Sequence, residues 1–242
     1  MSEWIYGRQP VFEFLNSGVN AKKLYVSSLK KTNEISSILK LVHEKKIPIE
    51  AVDKRWMDQK FPENHQGILL EIEAHPIKEF KNIFSHLPKE KNHYVTLLDE
   101  IQDPQNLGAI IRSAVCFGCS ALVLPKWRSA SMSPGVIKSS SGALAHLPIF
   151  EISNLTVAIE RLKEKGFFVL GTDVQSTVSL ESVTLQFPLA VLFGNEHRGL
   201  KPILKKQCDS LVAIPQTTKI ASLNVSVSAA ITFYEIFKRI KI

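Results

Sequence analysis

Two stretches near the C-terminal end place polar side chains where a parallel sheet would present them. Leu189–Leu200, LAVLFGNEHRGL, is an apolar run that stops in Gly194-Asn195-Glu196. Ser210–Ile214 is a second apolar run, and the polar loop after it closes with Ser222-Leu223-Asn224 just before an amphipathic segment. Strand ends that stop in glycine and polar residues near a helix start form cofactor pockets in open α/β sheets. A third stretch, Leu98–Ala109 (LDEIQDPQNLGA), joins another strand to a helix. Pro104 bars an early helix start there, and Asn106 can cap the helix with its side-chain oxygen. Arg112 follows on the same helix, as a surface charge or as a bidentate clamp for phosphate. Two further residues have plain structural readings beside a chemical one: Glu196 as a turn residue with Arg198, and Asn224 as the N-cap of the final helix.

Several common chemistries are excluded. There is no G-x-G-x-x-G, so the usual dinucleotide and methyltransferase glycine loop is missing, and no G-x-x-x-x-G-K-[ST] for an NTPase. Neither a G-x-S-x-G elbow nor H-E-x-x-H occurs, and the histidines are scattered, with none paired at metal-ligand spacing. Cys116-Phe-Gly-Cys119 has the C-x-x-C form but no second pair to complete a zinc site, and Gly118 has the place of a left-handed residue ending a helix. These cysteines read as packing thiols, and a total of three, which cannot all pair, fits a reducing compartment.

The elements that must position these residues follow from periodicity. From Tyr94 onward, strands and helices alternate. The strands are Tyr94–Leu98, Ala121–Leu124, Leu147–Ile152, Phe167–Thr172, Leu189–Phe193 and Ser210–Ile214. The helices are Leu107–Phe117, Pro134–Ser141, Leu155–Lys165, Pro202–Lys206 and Val225–Arg239. This pattern predicts an α/β fold with a mostly parallel sheet covered on both faces. Residues 1–76 read as a separate small α/β unit, from a helix at Pro10–Asn16 to a strand at Gly67–Ile72. Residues 77–92, rich in lysine and punctuated by proline, read as a linker, which leaves 93–242 as the second domain.

No apolar run approaches the ~18 residues of a membrane span, and the N-terminus lacks the apolar core of a secretory signal, so the expected location is cytoplasmic. A net charge of +7 favours a polyanionic partner, most simply nucleic acid. Lysines at 22–23, 30–31, 40 and 45–46 in the first unit form either a solvated surface or an RNA-facing one.

Together, LDEIQDPQNLGAIIRSA (Leu98–Ala114), LFGNEHRGL (Leu192–Leu200) and IPQTTKIASLNVSVSAAITFYE (Ile214–Glu235) resemble the three motifs of the SpoU/TrmH family of RNA ribose 2′-O-methyltransferases, in order and in spacing. Tyr6-Gly7-Arg8-Gln9-Pro10-Val11 and His65-Gln66-Gly67-Ile68 resemble the family's extended branch, typified by an enzyme that modifies a guanosine of bacterial 23S ribosomal RNA. The resemblance implies a SPOUT domain with a deep trefoil knot, a topology that periodicity alone cannot predict. It also implies a small ribosomal-protein-like RNA-binding domain at the front, and a homodimer. S-adenosylmethionine would lie against Gly194, Asn195, Ile214, Ser222 and Leu223, while Asn106, Arg112, Glu196 and Asn224 would line the reacting centre, with no metal and no membrane involved. The third motif keeps Ser222-Leu223-Asn224-Val225-Ser226 intact, whereas Asn195, His197 and Arg198 fill variable positions of the second. Alternatives are a transfer RNA substrate, or a non-catalytic RNA-binding or ribosome-assembly factor that keeps the fold.

Overall fold

The computed structural model describes residues 2–27, 33–62, 64–73, 77–217 and 219–240, which fall into two compact units. One draws on Met1–Pro76 and Met132–His146, the other on Ile77–Ser131 and Leu147–Ile242. Lys30 and Lys31 of the lysine clusters lie outside the described residues.

In the first unit, β1 (Ser2–Tyr6), α1 (Arg8–Asn16), β2 (Ala21–Val26), α2 (Asn33–Glu44), β3 (Ile49–Ala51), α3 (Lys54–Lys60) and β4 (Ile68–Glu73) follow one another. The sheet order is β1-β4-β2-β3, with only β2 and β3 parallel. The alternation of the strands sets its two faces. Ile5, Leu24, Val26, Leu70 and Ile72 are buried, as are Phe14 and Leu15 of α1 and Ile38 and Val42 of α2. The other face carries Tyr6, Tyr25 and Leu69, closed by Met57 of α3. β1 was not among the expected strands, because its five residues SEWIY carry too short an alternation to stand out. The two front-end motifs meet here: the Arg8 amide donates to Gln66 Oε1 at 2.8 Å, and the Gly67 amide donates to His65 Nδ1 at 3.0 Å.

α5 (Pro134–Ser139) and the 3-10 turn Ala143–His146 belong with this first unit, not with the second domain as the sequence division had it. Gly142 lies so close to α1 that a Cβ there would come within 2.7 Å of Glu13, and His146 Nε2 lies 2.8 Å from Glu13 Oε2. A contiguous reading of the alternating pattern cannot detect such a return of the chain.

In the second unit, β5 (Lys78–Glu79), β6 (Tyr94–Leu98), α4 (Pro104–Cys116), β7 (Ala121–Pro125), β8 (Ile149–Ile152) and α6 (Leu155–Glu164) lead into β9 (Phe168–Thr172), β10 (Leu189–Phe193), α7 (Pro202–Lys205), β11 (Ser210–Val212) and α8 (Val225–Ile240). The sheet order is β11-β9-β10-β6-β7-β8-β5, and every neighbouring pair is parallel. The stretch read as a linker, 77–92, instead supplies β5 at the sheet edge and a 3-10 helix, Phe80–Ser85, whose Phe80 and Ile83 are buried in the core. Its proline and lysines masked that short apolar pair. Ala190 and Leu192 of β10 join the core built on Ala158, Ile159 and Leu162 of α6. The Phe193 ring instead meets Phe233 of α8 edge-on, 5.4 Å between centroids. Helices therefore cover both faces, as all-parallel sheets require. The order reverses at β10, which is inserted between β6 and β9. Ligand crevices of such sheets open at the carboxyl ends of strands beside such a switch.

Candidate active site

Beyond β10 the chain makes a tight turn whose geometry explains its two glycines. Asn195 and Gly199 exchange backbone hydrogen bonds of 3.2 and 2.9 Å. This brings the returning strand so close that a Cβ on Gly194 would sit 2.1 Å from the Gly199 carbonyl carbon. Gly199 itself adopts φ +65°, the left-handed region that favours glycine. The Asn195 side chain is committed to holding the turn. Its Oδ1 accepts from the His197 amide at 3.0 Å, and its Nδ2 donates to the Glu100 carbonyl at 2.9 Å.

The turn presents Glu196 to two asparagines from distant elements. Asn106 Nδ2 donates to Glu196 Oε1 at 3.2 Å, and Asn224 Nδ2 donates to Asn106 Oδ1 at 3.0 Å. Asn106 is free to do this because the helix starts earlier than the sequence reading had it. Asp103 caps α4 by accepting from the Gln105 amide, with Pro104 in the first turn where its missing N–H costs nothing. The expectation that Asn106 caps the helix is thus corrected. Asn224 caps α8, its Oδ1 accepting from the Ser226 amide at 2.8 Å, and its Nδ2 also donates to Asn106.

Glu196 is also in the wall of a cleft of about 410 Å³ at the carboxyl ends of β9, β10 and β11. Gly194, Asn195, Ile214, Ser222 and Leu223 all line it. Arg112 does not. Six residues beyond Asn106 it lies ~9 Å further along α4 and roughly 120° away around the axis, on exposed surface. Sequence reasoning missed the loop after β9, Asp173–Gln175, which with Thr172 forms the third wall. Asp173 of that loop is held by Lys205 of α7 at 2.6 Å. The one signal for it was a polar residue immediately after a strand end.

A sequence model of the SpoU rRNA methylase family matches residues 93–234, which contain this whole cleft. The chain belongs to that family. A second family model, for the substrate-binding part of RNA 2′-O ribose methyltransferases, matches residues 4–77 of this SpoU methylase. The enzyme class is therefore RNA 2′-O-methyltransferase. The Bacillus subtilis protein YacO, assigned to the TrmH family of tRNA/rRNA methyltransferases, is 31% identical over 98% of this chain and 96% of its own. Two solved structures share the fold. The SpoU methyltransferase AviRb of Streptomyces viridochromogenes, in complex with AdoMet, aligns with a TM-score of 0.82 at 21% identity, over 98% of this chain and 90% of that one. An AdoMet-bound rRNA methyltransferase of Sinorhizobium meliloti gives 0.82 at 21% identity, over 98% and 87%.

Two of the three cysteines of this SpoU methylase are packing groups. Burial pushes the Cys119 thiol up to about 11 and that of Cys208 up to about 12, so both stay protonated packing groups. Cys116 is exposed, which corrects its reading as a packing thiol. Among the described residues no cluster of His, Cys, Asp or Glu is arranged to hold a metal ion, and no helix is long and apolar enough to cross a membrane.

Proposed function

We propose that this enzyme transfers the methyl group of S-adenosylmethionine to a ribose 2′-hydroxyl of RNA, with a guanosine of 23S ribosomal RNA as its target. The carrying observation is the hydrogen-bonded row Glu196–Asn106–Asn224 at a cleft whose volume lies in the ~300–1,000 Å³ range of small-molecule sites. The cleft suits the cofactor chemically. Phe193, Val212, Ile214 and Leu223 offer apolar wall for an adenine, Asp173 and Ser222 offer polar groups for hydroxyls, and Gly194 leaves the wall bare of a side chain. When bound, the sulfonium supplies an electrophilic methyl group that needs no metal.

What remains for the chain is positioning and orientation, which can contribute up to ~7–11 kcal/mol. Asn106 fixes Glu196 through one end of its carboxamide and Asn224 through the other. Glu196 Oε2 is left to accept the hydroxyl's hydrogen bond and turn its lone pair toward the donor. A guanidinium does not deprotonate in a protein, so Arg112 is assigned the clamping of an RNA phosphate from its exposed site on α4. The first unit is assigned RNA binding, although Lys23 and Lys40 are partly neutralised there by Glu50 and Glu44.

We also assign to the second unit the trefoil knot of its family, with the loops after β10 and β11 as cofactor loops, and to the enzyme a homodimeric state. Val227, Ile231 and Tyr234 support the dimer. They form a stripe on α8 at i, i+4 and i+7 and are 45%, 38% and 50% exposed. Calorimetry should detect S-adenosylmethionine binding, and no binding at millimolar cofactor would end the reading. Mass-spectrometric mapping of 2′-O-methyl sites in ribosomal RNA, from cells with and without the protein, tests the target. A missing methyl group on transfer RNA instead would move the substrate.

A further inference from the structure

A second crevice, of about 510 Å³, opens on the same carboxyl edge of the parallel sheet, beyond β6, β7 and β8. It is lined by Asp99 and Glu100 after β6, Trp127 and Arg128 after β7, Asn154 at the start of α6, and Lys201. It adjoins the cofactor turn, because the Glu100 carbonyl receives the Asn195 side chain and the Asp99 amide donates to the Phe193 carbonyl at 2.8 Å. Asp99 and Glu100 belong to the first motif, but Trp127, Arg128, Asn154 and Lys201 lie outside all three.

Three observations bear on what would fill it. Trp127 is 62% exposed, a large indole left in water on the rim of a concave site. Arg128 and Lys126 flank it in sequence, and the Lys126 ammonium lies 5.7 Å from its ring centre. At the other extreme, Asp99 is 3% exposed. Its Oδ1 accepts from Lys201 at 3.1 Å, but Oδ2 is buried without any hydrogen-bond partner. Buried carboxylate oxygens left unserved are costly, so a site that keeps one has a donor to receive. Burial raises the Asp99 pKa, against the opposing pull of the Lys201 ammonium.

We propose that this crevice is a nucleobase subsite for the RNA strand, selective for a base with an exocyclic amino group. Trp127 stacks on the base, Oδ2 of Asp99 accepts from the amino group, and Arg128 faces the phosphate. A π-face beside cations recognises nucleotides generally, since every base can stack. The acceptor-only carboxylate adds selection, because cytosine, adenine and guanine present an amino donor where uracil has none. The same carboxylate disfavours a bare phosphate ion, and Glu100 is already neutralised by Lys201 at 2.7 Å and Arg128 at 3.5 Å. The subsite thus holds a nucleotide apart from the ribose presented to Glu196. This inference rests on RNA being the substrate.

Cytidine and uridine 5′-monophosphates are the probes: cytosine carries a 4-amino group and a bare N3, uracil a 4-carbonyl and an N3–H. Titrated into the full-length protein, cytidine monophosphate should quench tryptophan fluorescence with an affinity roughly three- to tenfold above uridine monophosphate, the worth of one hydrogen bond. Trp127→Ala, a change at an exposed position, should abolish that quench while S-adenosylmethionine binding by calorimetry stays as in the parent. Asp99→Asn should equalise the two nucleotides, since its amide offers a donor to uracil. Equal affinities in the parent, or a quench that survives Trp127→Ala, would overturn the subsite. Cofactor binding and RNA methylation that persist alongside such a result leave the proposed function standing. Loss of cofactor binding in the parent would instead remove that function.

Discussion

Asn106 and Asn224 are 118 residues apart, and their side chains are joined by a 3.0 Å hydrogen bond in which Asn224 donates and Asn106 accepts. The direction of that bond fixes the rest. With its oxygen occupied, Asn106 turns its amide nitrogen to Glu196. Each asparagine is a donor and an acceptor at once, so the row has one polarity and ends on a carboxylate. Neither aspartate nor alanine can replace the middle member.

Asn106→Ala should therefore lower the methyl-transfer rate by roughly 10²–10³, the usual cost of one preorganised polar group, while S-adenosylmethionine affinity stays nearly constant. Asn106→Asp should be at least as damaging, because it sets a second negative charge against Glu196. Single-turnover transfer to RNA beside calorimetric cofactor binding separates the two effects. Parent-like transfer by either variant would show that the row has no part in the reaction.

Gly194→Ala should abolish cofactor binding. The new methyl group would meet backbone atoms of Gly199 and Leu200 at 2.1 and 2.2 Å, and no side-chain rotation can relieve a clash with main chain. Since Gly194 directly follows β10 at the cleft, the turn must open and carry Glu196 with it. Circular dichroism should show a folded protein with loss of affinity in calorimetry. Parent-like affinity would mean that the turn yields without disturbing the cleft.

The second unit was legible because its strands from β6 to β11 are largely apolar runs and all but β9 are followed by a helix. Leu189–Phe193 was placed residue for residue. The cleft was legible through Gly194, Ile214 and Ser222-Leu223, which stand at strand ends or before a helix. What stayed hidden depends on distance through space. Glycine at 142 looks like any loop residue until α1 is found against it, and Phe80 and Ile83 look like linker until β8 gives them a sheet edge. For Asn106 only the plain reading as a helix cap fails, since Asp103 takes that place three residues earlier.

Stability should fall in acid through carboxylates such as Glu235. A hydrogen bond from Lys238, then burial opposing it, then a hydrogen bond from Arg239 leave its pKa below the usual glutamate value. A depressed carboxylate contributes stability that is fully present above the unfolded value of ~4.3 and is lost as pH falls through the folded value. Glu79 and Glu100 shift in the same direction, and Asp99, raised by burial, works against them. The melting temperature should thus hold steady from pH 7 down to about 5 and decline below about 4.5. Glu235→Gln should lower it at pH 7 and flatten the acid limb. An unchanged acid limb in that variant would remove Glu235 from the account.

Arg239 at the end of α8 ties the last helix to a loop more than fifty residues earlier. Its Nη1 donates to the Val183 carbonyl at 2.7 Å, and its Nη2 to the carbonyls of Leu180 and Glu181 at 2.7 and 2.9 Å, while Glu235 holds the guanidinium from within the helix. A planar fork with fixed donors suits converging carbonyls, whereas an ammonium on a flexible stem does not. Arg239→Ala leaves these carbonyls without their partner and should cost ~2 kcal/mol, or roughly 4–8 °C in melting temperature for a chain of this size. Arg239→Lys should recover only part of that loss, because one ammonium cannot reproduce the fork. The loop Ser179–Val183 is also tied to the chain just after β11 through the Leu180 amide, which donates to the Ala213 carbonyl at 2.8 Å. Ala213 and Ile214 line the cleft proposed for the cofactor, so cofactor affinity should weaken together with stability. Thermal melts with and without S-adenosylmethionine measure both. A full rescue by lysine would show that charge alone, and not the geometry of the fork, holds α8 in place.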